Sequence, residues 1–194
     1  VFKKSNQEFI LEIVKYIIEK KPKISPKIFE ILLGHSLKYL KNVDEGTLKI
    51  LWEFLSNKIE SKQTNLTAAI LICIIRLISK NSPPNDALKK IFENLQWTIS
   101  SPDVHIVIYS IKLSCELVKH NLMTSQFYYQ IVKQLFSYSK FFDLPYSKFT
   151  YEFLKMSKKY HFNSKEMEND VIETISFFPH DKFNSIRELK KFID

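Results

Sequence analysis

Residues Ser125–Tyr160 read SQFYYQIVKQLFSYSKFFDLPYSKFTYEFLKMSKKY. Two apolar stripes run through this stretch, Phe127, Ile131, Val132 and Leu135, then Phe149, Phe153, Met156 and Tyr160. Each follows the spacing of a helix with one buried face. Between them Phe142-Asp143-Leu144-Pro145 interrupts the pattern, because proline has no amide proton to give and clashes with the preceding turn. The stretch therefore predicts one helical hairpin, and the rest of the chain reads as further copies of it.

Working outward, Ser5-Asn6-Gln7-Glu8 is a capping box opening a helix to about Lys20, with Phe9, Ile13, Val14 and Ile17 on one face. Pro22 ends it. Ser25-Pro26 starts the next helix, serine as N-cap and proline at the first helical position, carrying Phe29, Leu32, Leu33, Leu37 and Leu40. Asp44 caps a third, with Leu48, Leu51, Trp52, Leu55 and Ile59 inward and Lys49, Glu53 and Glu60 outward. A fourth begins near Thr64-Asn65 and is apolar almost all round, which predicts burial on more than one side. Pro83-Pro84-Asn85 precedes a fifth with Leu88, Ile91, Phe92, Leu95 and Ile99 inward, and Ser101-Pro102-Asp103 opens a sixth, again apolar on nearly every face. Past the hairpin, a capping box at Asn163–Glu166 opens a ninth helix, and a short tenth covers about Asn184–Ile193.

The caps Ser5, Asp44, Asn85, Ser125 and Ser164 fall about 40 residues apart, as do Ser25, Asn65, Ser101 and Asp143. Two helices per ~40 residues along a whole chain signals an all-α solenoid, about five antiparallel hairpins stacked in sequence order. The expectation is a single helical-repeat domain over residues 1–194, with a compact bundle of ten helices as the alternative.

Composition supports the helical reading. The chain has 194 residues, 45% hydrophobic and 26% charged, as in folded proteins. Only two residues are glycine, against an average share of roughly 7%, which argues against tight hairpin turns and Gly-rich phosphate loops. The net charge is +8 and each third of the chain is positive, favouring an anionic partner. All but Arg76 and Arg187 of the basic residues are lysines, point charges suited to backbone phosphates rather than base readout.

No pattern of catalytic chemistry is present. The histidines His35, His105, His120, His161 and His180 are scattered, without metal-ligand spacing, and read as structural. Cys73 and Cys115 lie in apolar helical runs and read as reduced core thiols. Glu166, Glu168, Asp170 and Glu173 read as a solvated face at a helix start. The apolar run Leu66–Ile78 is shorter than the ~20 residues a membrane span needs and contains Arg76. The expectation is therefore a non-enzyme with no cofactor, metal, membrane contact or small-molecule substrate. The chain opens on Val1, which reads as a processed or partial chain whose targeting segment is missing. Two basic groups are the candidate phosphate contacts: Lys20, Lys21, Lys23 and Lys27, and Lys155, Lys158 and Lys159 beside His161. Tyr128, Tyr138, Tyr146 and Tyr151 fall off the stripes and are candidates to pack on a neighbouring subunit or a base.

Three stretches share a local grammar: Leu48–Leu55 (LKILWEFL), Val107–Leu113 (VIYSIKL) and Leu135–Met156 (LFSYSKFFDLPYSKFTYEFLKM). Each sets an aliphatic-aromatic pair before small or apolar residues, then a polar turn and another helix. This resembles the heptatricopeptide and octotricopeptide repeats of organellar RNA-binding proteins, with Trp52-Glu53 where that family usually has tryptophan-alanine. Ile99–Leu117 (ISSPDVHIVIYSIKLSCEL) is similar to a HEAT turn and second helix, with His105 in place of the usual arginine. The first resemblance implies a mitochondrial RNA-binding subunit, as in a mitochondrial ribosome; joined to the charge, the expectation is ribosomal RNA held through phosphates at Lys20, Lys21, Lys23, Lys155, Lys158 and Lys159, with neighbouring protein subunits as further partners. The second implies a protein–protein scaffold without nucleic acid, equally at home in the cytoplasm.

Overall fold

The computed structural model describes residues 7–20, 25–39, 43–60, 64–124, 127, 130 and 131. Among them every regular element is helical: α1 (Gln7–Lys20), α2 (Pro26–Phe29), a π-helical turn (Glu30–Gly34), α3 (His35–Tyr39), α4 (Glu45–Glu60), α5 (Thr64–Ile78), α6 (Asn85–Ile99) and α7 (Val104–Lys119). These match the first six helices that the periodicity predicts, the second being split by the π turn. The hairpin at 125–160 and the helices after it lie outside the described residues, apart from helical Phe127, Gln130 and Ile131.

Local chemistry sets the helix ends. The Ser25 hydroxyl accepts from the Ile28 N–H at 3.4 Å, with Pro26 at the first helical position. Asp44 takes the Thr47 N–H on Oδ1 at 2.8 Å and the Thr47 hydroxyl on Oδ2 at 2.7 Å, using donors that a helix start leaves unpaired. Those two bonds hold the Asp44 carboxyl below the usual carboxylate range, with the hydroxyl contributing most. Asp103, not Ser101, caps α7, accepting from the His105 N–H at 2.8 Å, while the Ser101 hydroxyl accepts from the Asp103 N–H at 3.2 Å. Asn85 is already inside α6: the Leu88 N–H bonds the Pro84 carbonyl at 2.9 Å, which puts Pro84 in the cap position. At the far end of α7, Asn121 adopts φ 56°, the left-handed conformation. The Leu122 N–H then reaches the Leu117 carbonyl and the Asn121 N–H the Val118 carbonyl. This is a Schellman motif with asparagine in the usual glycine place.

Residues 1–94 and 95–194 form two compact units. In the first, α1 packs on the π turn, α3 and α4, and α5 packs on α2, the π turn, α3 and α4. Its core joins Val14 and Ile17, Phe29, Leu33 and Leu37, Leu51, Trp52, Leu55 and Ile59, and Ile70, Leu71 and Ile74. The Phe29 and Phe54 rings stack with centroids 6.3 Å apart. Every residue of α5 from Leu66 to Ile78 is buried or half-buried, as its all-round apolar sequence predicts. The stripe on α1 is shifted by one from the sequence reading: Phe9 is 50% exposed and Ile10 takes the inward place. In the second unit α7 buries Ile106, Val107, Ile111, Leu113, Leu117 and Val118. Its buried serines return their hydroxyl protons to the backbone, Ser110 to Ile106 at 2.7 Å and Ser114 to Ser110 at 2.9 Å.

Candidate interaction surfaces

Lys20 ends α1 and is exposed with no acidic partner among the described residues, and the same holds for Lys27 on α2. Lys21, Lys23, Lys155, Lys158 and Lys159 lie outside the described residues. The four off-stripe tyrosines, His161, His180 and the acidic run 166–173 also lie outside. His35 is half-buried, His105 is exposed, and His120 Nε2 stands 3.6 Å from the Glu116 carboxylate within one helical end. Among the described residues no group of three or more His, Cys, Asp or Glu side chains is placed to hold a metal ion. No helix among them is long and apolar enough to cross a membrane.

Sequence reading placed Glu53 and Glu60 simply outward; the structure puts them on the walls of two grooves flanking α4. One groove, between α1 and α4, has a volume of about 520 Å³. Its floor is Ile18, Ile50 and Phe54, and its walls carry Glu19, Glu53, Asn57 and Lys58. The other, between α4 and α6, is also about 520 Å³, with Trp52 and Ala87 among its lining residues. Lys90 Nζ crosses it to Glu60 Oε2 at 3.0 Å and also donates to Asn57 Oδ1. Glu53 and Asn57 line both grooves, so α4 stands as a ridge between them.

Among the described residues three buried polar atoms lack hydrogen-bond partners: Ser36 Oγ, Trp52 Nε1 and one terminal nitrogen, Nη1, of Arg76. Each such group costs about 1–3 kcal/mol relative to a satisfied one. Arg76 lies against Gly34 at the end of the π turn, so closely that a Cβ on Gly34 would collide with Nη1. Below it sits Cys73, fully buried; burial pushes its thiol up to about 12, with the Arg76 guanidinium opposing that rise. A thiol held protonated in this way is not a nucleophile. The Gly34–Arg76–Cys73 arrangement is a packing solution, and the Glu30 carboxylate adds to the rise of the thiol.

Against known proteins, the chain matches no family model, no curated protein and no solved structure.

Proposed function

We propose that this chain is a non-catalytic α-helical-repeat subunit of a large RNA-containing complex, a mitochondrial ribosome on the family resemblance. In this reading its hairpins of ~40 residues stack as an α-solenoid, and its lysines grip RNA phosphates while other faces meet neighbouring proteins. The observation that carries it is the net charge of +8, supplied almost wholly by lysine. Exposed Lys20, Lys27 and Lys49, none with an acidic partner among the described residues, agree with it. Counterion release gives each phosphate contact a salt-dependent increment, so several lysines suffice without base readout. The test is to reverse the charge of Lys155, Lys158 and Lys159 together and measure RNA association at two ionic strengths. The expected outcome is weaker association at low salt and a shallower salt dependence. No change at either salt concentration favours the second reading, a HEAT-like protein scaffold. What favours that reading is the pair of grooves on α4, where carboxylates stand beside apolar side chains.

A further inference from the structure

We propose that the groove between α1 and α4 is the docking site for a basic amphipathic helix of a neighbouring protein. This supplies the chemistry of the protein-partner half of the reading above and does not depend on its RNA half.

The floor makes the first part of the case. Ile18 and Phe54 are almost covered, but Ile50 beside them is 51% exposed. The apolar floor of the groove thus continues out to solvent on an otherwise polar face of α4, which marks an interaction surface rather than a core.

The walls make the second part. Glu19 stands on α1 and Glu53 on α4, both exposed and neither in an ion pair among the described residues. Among the described lining residues the one cation is Lys58, whose ammonium lies over the Phe54 ring at 5.9 Å, against the floor. The groove therefore carries an acidic excess on a chain whose net charge is +8. Phosphates entering it would meet two carboxylates that have no ion pair among the described residues, which disfavours nucleic acid on this face. Lysines flanking an apolar stripe would meet the same carboxylates favourably.

Geometry makes the third. The walls are two helices, and the gap between neighbouring helices accepts the ridge of another. A helix presenting apolar residues at i, i+3, i+4 and i+7 lays them on Ile18, Ile50 and Phe54, the helix-in-groove mode. Its basic flanks then fall beside Glu19 and Glu53.

The experiment uses the full chain and a labelled synthetic helix with leucines at those four positions and lysines on the flanks, together with a twin carrying glutamate for lysine. Binding is read by fluorescence polarisation. The wild type is expected to bind the lysine helix about tenfold more tightly than its twin. Reversing both carboxylates, Glu19→Lys with Glu53→Lys, inverts that order, and Ile50→Asp weakens both helices about tenfold. All three positions are exposed, so the variants keep the wild-type melting curve. RNA retention by these variants stays at the wild-type level, which separates this proposal from the phosphate contacts. Equal binding of the two helices, an order unchanged by the double reversal, or no binding up to about 1 mM overturns the proposal. A self-associating chain that Ile50→Asp converts to a monomer also overturns it, because the occupant is then a second copy.

Discussion

α4 and α5 are adjacent and almost equal in length, 16 and 15 residues, yet they do opposite work. α5 hides every residue from Leu66 to Ile78 at least partly, and its one charged side chain in that span is Arg76. α4 buries Leu51, Trp52, Leu55 and Ile59 and turns Lys49, Ile50, Glu53, Asn57 and Glu60 to solvent. A helix apolar on all sides can only be core. One with a single stripe has a face left over, and on α4 that face separates two grooves. The contrast teaches where to look for function in this chain: on half-buried helices, not on the most hydrophobic one.

The largest effect that could break this contrast is in α5. Leu71 is fully buried, so Leu71→Ala is expected to cost about 2–5 kcal/mol in denaturant unfolding. Lys49→Ala on the solvent face of α4 should stay within about 0.5 kcal/mol of wild type. Similar losses at the two sites would remove the distinction between a core helix and a surface helix.

A smaller effect sharpens how α5 meets the π turn. Gly34→Ala places a methyl against the Arg76 guanidinium, and overpacking of this kind costs about 1–3 kcal/mol, here at the low end because the colliding atom is the tip of a long side chain. Introducing Arg76→Met alongside it should recover most of that loss. A double-mutant cycle reads the recovery as a coupling term near 1 kcal/mol, and strict additivity would mean the two residues do not meet.

The smallest effect is a pH dependence. Folded Cys73 keeps its proton up to about 12, whereas an ordinary thiol releases it at 9.0. Between those values the unfolded chain binds fewer protons than the folded one, so stability falls as pH rises. The expected contribution is about 1 kcal/mol lost at pH 10. Melts of wild type and Cys73→Ala over pH 8 to about 11 should show a steeper decline for the wild type. Parallel curves would place Cys73 in contact with water.

Much of this fold was legible in the residues. Ser25-Pro26 and Asp44 announced helix starts that the backbone confirms, and the stripe on α4 was read correctly because leucines and Trp52 recur at helical spacing. On α1 two neighbouring apolar residues, Phe9 and Ile10, both fitted a stripe. Only the angle at which α1 meets the π turn, α3 and α4 decides for Ile10. The π turn left no signal in the pattern beyond Gly34, since one wide turn shifts the register too little to see in a short helix. The cap at Asn121 was missed because asparagine is a weaker mark of the left-handed conformation than glycine. The grooves were out of reach altogether. Glu53 and Glu60 look alike in sequence, and only folding brings Lys90 to Glu60 and sets Glu53 on the wall of both grooves.

The ridge of α4 carries one more consequence. Because Glu53 and Asn57 belong to both grooves, two occupants would not bind independently. A lysine that neutralises Glu53 from one side takes that charge away from whatever lies on the other. An occupant that draws Asn57 toward itself loosens its bond with Lys90, and with it the link to Glu60. Such coupling is reciprocal by thermodynamic necessity, so whichever partner arrives first sets the affinity of the second. An assembly built around this helix would then feel each partner's arrival as one and the same change in the other's affinity, whichever came first.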